Sequence, residues 1–306
     1  MINNLLREYF MEKIDFNIKS TDGTRLHLHT WQTKKPEKII LVVHGMGGHA
    51  DFYTDSLAKY VQDKNISIYA PDLRGHGRSE GIRGDIEDFH LFLEDVKAAV
   101  EFARLRHPDL PLLMLGESMG TPIATNYAAS AQGYLRPDAL ILLACVVAPT
   151  IKPRLDEIFR TAFYTLYDRK KIVIPITGRE HEGISDVEFI KVIKADPLFN
   201  RKVSVRFLMK LTAFTSKAYN SAPKLTMPTI VMNGEEDITV RLKATRKFFD
   251  NIASSEKEWH LFPGVFHSIL NDVRSAEVRT ELFAWLERLN LNAKNSPLPT
   301  ESRVSN

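Results

Sequence analysis

Four short, unbroken apolar runs limit most tightly what this chain can fold into: KIILVVHG (38–45), ISIYAPD (66–72), PLLMLGES (111–118) and DALILLACVV (138–147). Each is too short for an ordinary helix and shows no polar alternation, the pattern of a strand buried on both faces. Between the second and third lies DIEDFHLFLEDVKAAVEFARLRH, where Ile86, Phe89, Leu93, Val96, Val100 and Ala103 recur at helical spacing. Ahead of the runs, EKIDFNIKS and TRLHLHTW alternate apolar and polar around Asp22-Gly23, which predicts a hairpin. After residue 226 come PTIVMNGEED, a helix near 241–253, KEWHLFPG and a last helix, SAEVRTELFAWLERL. A hairpin followed by repeated βα units predicts an α/β fold: a mostly parallel eight-stranded sheet flanked by helices.

Residues 149–223 break this rhythm. Leu155, Ile158, Phe159, Ala162, Phe163, Leu166 and Tyr167 make one wide apolar stripe on a helix. SDVEFIKVI opens a second helix, with Ser185 and Glu188 spaced for a capping box, and VSVRFLMKLTAF opens a third. The expected organisation is therefore a core of 1–148 and 224–292, a helical cap at 149–223 inserted between two late strands, and a polar, disordered tail at 293–306. The insertion holds Phe159, Phe163, Phe189, Phe199, Phe207 and Phe214, which favours an apolar ligand; Phe159, Phe163 and Phe207 are the candidate lining residues.

Composition removes several function classes. Across 306 residues, 44% hydrophobic and 26% charged with a net charge of +3, no basic stretch is interleaved with aromatics, so no nucleic-acid partner is expected. The lone Cys145 sits in an apolar run and reads as a core thiol, which suits a reducing compartment. The start, MINNLLREYFMEKIDF, lacks the apolar stretch and cleavage site of a signal peptide, and no run approaches the roughly 20 residues of a membrane span. A cytoplasmic protein is expected, with contact to a membrane surface open only through the cap. Oligomeric state is not legible.

Gly116-Glu117-Ser118-Met119-Gly120 fits G-x-S-x-G, in which a serine stands on a tight strand-to-helix turn. The supporting residues fall on loops after strands, where an open parallel sheet gathers its chemistry. His44-Gly45-Met46-Gly47 could turn the Met46 N–H toward the serine, joining the Met119 N–H as an oxyanion hole. Asp237, in NGEEDITV, and His267, in FPGVFHSIL, follow later strands. The order Ser118, Asp237, His267 is that of elbow-type hydrolases. A serine hydroxyl needs an imidazole to take its proton, and a carboxylate to orient and stabilise that imidazole. His44, His49, Arg74 and His76 read as braces of these loops. His27 and His29 share a strand face as two metal ligands would, but no carboxylate or thiol companion is evident, so neither a metal nor another cofactor is expected.

With HGMGGHADFY, PDLRGHGRSEG, GESMG, the Asp-Pro-Leu of IKADPLFNRKVS, NGEEDITV and GVFHSIL, the chain resembles the α/β-hydrolase fold, and within it the monoacylglycerol lipase and lysophospholipase branch. The resemblance implies Ser118 as nucleophile, Asp237 and His267 as its triad partners, Met46 and Met119 as oxyanion donors, and a cap whose apolar inner wall takes an acyl chain. The substrate implied is a small single-chain lipid ester, a monoacylglycerol or a lysophospholipid. The same fold and triad also serve general carboxylesterases, thioesterases and peptidases. An aminopeptidase would bring cap acids to a substrate amine, and nothing in the spacing of Asp156, Glu157, Glu180 and Glu182 singles them out. The chain departs from the branch at Gly48, where members often carry Glu, and at Thr121, where they often carry a second Gly.

Overall fold

The computed structural model describes residues 11–61, 63–148, 155–178 and 180–291. Ten strands and seven longer helices order the described chain. In sequence they are β1 (Glu12–Lys19), β2 (Arg25–Gln32), β3 (Lys38–Val43), β4 (Ile66–Pro71), α1 (His90–Arg106), β5 (Leu112–Glu117), α2 (Gly120–Ser130) and β6 (Ala139–Leu143). Then come α3 (Leu155–Tyr167), β7 (Ile172–Pro175), α4 (Val187–Ala195), β8 (Lys202–Ser204), α5 (Val205–Asn220), β9 (Thr229–Gly234), α6 (Leu242–Asp250), β10 (Lys257–Phe262) and α7 (Ser275–Arg288).

Eight of the strands form one sheet in the order β1-β2-β4-β3-β5-β6-β9-β10. The β1–β2 hairpin and its join to β4 are antiparallel, and every pairing from β4 to β10 is parallel. This is the mostly parallel eight-stranded sheet expected from the apolar runs, and the fold that the resemblance implies. Their lack of alternation has a direct cause. Ile39, Leu41 and Val43 enter one core, with α1, α2 and α5, while Ile40 and Val42 enter the other, with α7. Each such side chain removed from water contributes roughly 1.5–3 kcal/mol. Cys145 is fully buried, as expected, and burial pushes its thiol up to about 12.

Several local expectations need correction. Helix α1 begins at His90, not near Ile86; the Asp88 carboxylate takes the His90 N–H, and Ile86 and Phe89 pack from the preceding loop. Helix α4 is capped by Asp186, which accepts the Glu188 and Phe189 N–H groups. Ser185 instead accepts the Val273 N–H from another loop. The insertion is not wholly helical, because β7 and β8 pair antiparallel within it. The apolar stripe of α3 is exposed at Ile158, Phe159, Phe163, Leu166 and Tyr167; Tyr164, outside the stripe, is the residue that packs on the core. Helix α5 buries Phe207, Leu211 and Phe214 against the core beside α2. The tail at 293–306 lies outside the described residues.

Candidate active site

Between β5 and α2 the backbone turns so sharply that Ser118 adopts a φ of +53°, a strained region for any residue with a Cβ. The flanking glycines make the turn sterically feasible. A Cβ at Gly116 would lie 2.4 Å from the Gly120 carbonyl oxygen, and one at Gly120 would lie 2.0 Å from that of Val43. Ser118 is further pinned by its N–H to Leu143 O, 3.0 Å. Thr121 fits without crowding: its hydroxyl donates to Ser118 O at 2.6 Å and accepts the Val146 N–H at 2.9 Å, tying the elbow to the loop after β6.

The structure brings Ser118, His267 and Asp237 together from the ends of β5, β10 and β9. His267 Nδ1 lies 2.6 Å from Asp237 Oδ2, and Nε2 lies 2.7 Å from Ser118 Oγ. With Nδ1–H donated to the carboxylate, Nε2 is left to accept the serine proton. Asp237 is aimed by its other oxygen, which accepts the Thr239 and Val240 N–H groups. The neighbouring Glu235 and Glu236 do not meet His267 among the described contacts. Burial disfavours charge on His267, but the Asp237 carboxylate and, behind it, Glu117 outweigh that and raise its pKa above the ordinary value. Burial likewise opposes charge on Asp237, yet the imidazole and backbone donors hold its carboxyl below the ordinary value.

The loop after β3 runs beside the serine; a Cβ at Gly45 would sit 3.3 Å from Ser118 Cβ. Met46 follows on that loop, and Met119 follows the serine. Among the described residues no loop or turn acceptor takes up either N–H. The loop is braced from three sides. His44 accepts the Leu73 N–H through Nε2 at 3.0 Å, Asp72 accepts the Ala50 N–H at 2.8 Å, and His49 donates to Asp196 at 2.7 Å. Asp196 belongs to the Asp-Pro-Leu segment, so that segment anchors the insertion to the loop. Asn200 repeats the link, its N–H to Gly47 O at 2.9 Å and its side chain to Gly75 O at 2.8 Å. Arg74 is locked to the buried Asp95 and to Asp22.

The three candidate lining residues do not come together. Phe207 is buried in the core, 5.2 Å from Phe89 ring to ring, while Phe159 and Phe163 lie on the exposed side of α3. The apolar wall beside the oxyanion loop is made by others. Ile176 and Phe199 are the side chains a Cβ at Gly47 would strike, and Phe52 bridges Phe199 and Phe189. Sequence reading missed Ile176, which stands in no motif, and the role of Phe52, which stands in HGMGGHADFY but has no polar group to mark it. It also missed Glu117, buried next to the serine and accepting the Tyr53 hydroxyl at 2.6 Å. Burial raises the Glu117 pKa despite the tyrosine and His267, and its second oxygen has no hydrogen-bond partner. Glu117→Gln is therefore expected to lower the pKa of His267, read by an NMR titration of the imidazole. An unmoved midpoint would mean that the Glu117 carboxyl is neutral there.

In such an arrangement an imidazole held by a carboxylate can take the proton of a serine hydroxyl beside an apolar wall, which suits acyl transfer. Fold and geometry together define an α/β-hydrolase. The chain belongs to the family described as serine aminopeptidase, S33, whose model matches residues 34–274. It is 27% identical over 267 residues to a monoacylglycerol lipase of Mycolicibacterium smegmatis, covering 86% of this chain and 93% of that protein. It is 26% identical over 291 residues to the monoglyceride lipase of Homo sapiens, covering 92% and 93%. A soluble variant of the Saccharomyces cerevisiae monoglyceride lipase, solved with a substrate analogue, shares the fold with a TM-score of 0.77 at 21% identity, over 91% of this chain and 94% of that one. Among the described residues no helix is long and apolar enough to cross a membrane.

Proposed function

We infer that this carboxylic ester hydrolase cleaves a single-chain lipid ester, with a monoacylglycerol as the leading substrate and a lysophospholipid as the neighbouring one. The observation that carries the chemistry is the chain of short hydrogen bonds from Ser118 Oγ through His267 to Asp237. Ser118 attacks the acyl carbonyl while His267 takes its proton, and the oxyanion forms between the Met46 and Met119 N–H groups. The alcohol leaves with the proton from His267. Water then clears the acyl-enzyme by the reverse route.

The lipid reading is supported by the apolar Ile176, Phe199 and Phe52 beside the oxyanion loop, and by similarity to monoacylglycerol lipases along nearly the whole chain. We further propose that residues 149–223 act as a cap, and that the exposed Phe159, Phe163, Leu166 and Tyr167 of α3 rest on the lipid surface from which substrate is drawn. Less supports an aminopeptidase. The Glu180 carboxylate is already used by the Gly178 N–H, and the side chains of Asp156, Glu157 and Glu182 lie outside the described residues.

Fatty-acid release from a monooleoylglycerol, lysophosphatidylcholine and a short-chain nitrophenyl ester, measured side by side, tests this directly. Preference for the monoacylglycerol by roughly tenfold or more in kcat/KM is expected, about 1.4 kcal/mol of transition-state discrimination. Cleavage of the short ester alone would remove the lipid reading and leave a general esterase.

A further inference from the structure

At the far edge of the sheet, β1 and β2 pair with Asp15 opposite His29 and Asn17 opposite His27. Side chains two apart on a strand share a face, and so do directly opposite residues of an antiparallel pair. Asp15, His27 and His29 therefore gather on one face of the hairpin. The carboxylate companion that the histidines lack in sequence is supplied by strand register.

The geometry is that of a ligand set. Asp15 Oδ2 lies 3.3 Å from His27 Nε2, and Asp15 Oδ1 lies 3.1 Å from His29 Nδ1. The three residues offer one ligand atom each, all within 4.8 Å of one another. A tetrahedral zinc site with bonds of about 2.0–2.1 Å has ligand–ligand edges of about 3.3 Å, close to the two carboxylate–imidazole spacings, each made by a different oxygen of Asp15. His29 is fully buried, yet its Nδ1 has no hydrogen-bond partner, and neither has His27 Nε2. Two buried, orphaned imidazole nitrogens thus converge on one carboxylate.

The other side of His29 points the same way. Its Nε2 lies 3.4 Å from Asp72 Oδ2, and Asp72 already accepts the Ala50 and Arg78 N–H groups. In the tautomer that donates Nε2–H to Asp72, the Nδ1 lone pair faces Asp15. Two acceptors then oppose each other across 3.1 Å, an arrangement a bound cation relieves. A carboxylate behind a histidine, fixing its tautomer for a metal in front, is the usual outer support of such sites. Asp51 also approaches Nδ1, at 3.3 Å, but Lys13 and Arg78 already hold it.

We propose that Asp15, His27 and His29 bind one divalent transition-metal ion of the zinc type, with Asp72 orienting His29. Two imidazoles and one carboxylate suit zinc or cobalt, and are poorly suited to calcium or magnesium. The ion clasps the antiparallel edge hairpin. Through Asp72, which also holds Ala50 and Arg78, it stiffens the loops after β3 and β4.

The test uses the full chain, stripped with a chelator and then titrated with Co²⁺ and with Zn²⁺. One equivalent of Co²⁺ is expected to bind with the visible absorption of a tetrahedral nitrogen–oxygen site. Zn²⁺ at about 100 times its Kd is expected to raise Tm by about 5 °C. Asp15→Asn and His27→Gln, both at positions with solvent access, are expected to weaken binding by about 100-fold and to abolish the Tm shift. Binding of less than about a tenth of an equivalent to the parent protein would overturn the proposal. So would an unchanged affinity in both variants, since the ion would then sit elsewhere.

Discussion

Ser118→Ala is expected to lower ester turnover by roughly 10⁴- to 10⁶-fold while the protein keeps its fold. The size follows from what is removed. Ser118 Oγ is the atom that would form the acyl bond, and its hydroxyl donates to His267 Nε2 at 2.7 Å. Alanine keeps the Cβ already accommodated at a φ of +53°, so the elbow bears no new strain. His267→Ala should cost about as much, and the double variant little more than either, because residues acting as one unit are not additive. Asp237→Asn should retain the geometry but present the wrong tautomer, for a loss of about 10⁴-fold. A fluorophosphonate probe should label the parent protein rapidly and Ser118→Ala not at all. Turnover by Ser118→Ala at anything near the parent rate would remove the mechanism, whatever the substrate.

The elbow and its two partners could be read from sequence for a physical reason. Parallel strands buried on both faces must be continuous apolar runs, so their ends are visible, and the loops that follow them gather at one edge. His267 was distinguishable from nine other histidines because it alone follows the last strand. What could not be read depends on lateral neighbours. Asp15 meets His29 only because of hairpin register, and Ile176 approaches Gly47 only because the insertion folds back over the β3 loop. Apolar periodicity in α3 marked one face of a helix but not what lies against it. That stripe stayed exposed because Tyr164 and the neighbouring α5 supply the buried contacts. Phe207 illustrates the converse: a phenylalanine in the insertion serves the core, since α5 is packed into it. At Thr121, where the branch often carries glycine, sequence shows the added bulk but not the two hydrogen bonds that use the hydroxyl.

Between pH 6.5 and 4 the protein is expected to lose about 6 kcal/mol of stability through His44 and His76, a large share of the 5–15 kcal/mol typical of a domain. Both are fully buried, and burial pushes His44 down to about 4 and His76 down to about 3. Their rings lie 5.0 Å apart, so charge on either opposes charge on the other. The unfolded chain binds a proton at each histidine near pH 6.5, whereas the folded chain does not. Stability from these groups is therefore present above pH 6.5 and falls with pH down to the folded values, by about 3 kcal/mol from each at pH 4. His267 acts with the opposite sign: its raised pKa adds stability below the unfolded value, lost as pH rises through the folded one. Asp237, held below the ordinary value, adds to the loss only at more acid pH. Urea unfolding at half-unit steps should show stability falling by roughly 2–3 kcal/mol per pH unit near pH 5, and His76→Phe, set among Phe92 and Phe207, should about halve that slope. A slope unchanged by that substitution would place the acid sensitivity elsewhere. Activity should be lost with stability, because a protonated His44 can no longer accept the Leu73 N–H that joins the oxyanion loop to the loop after β4.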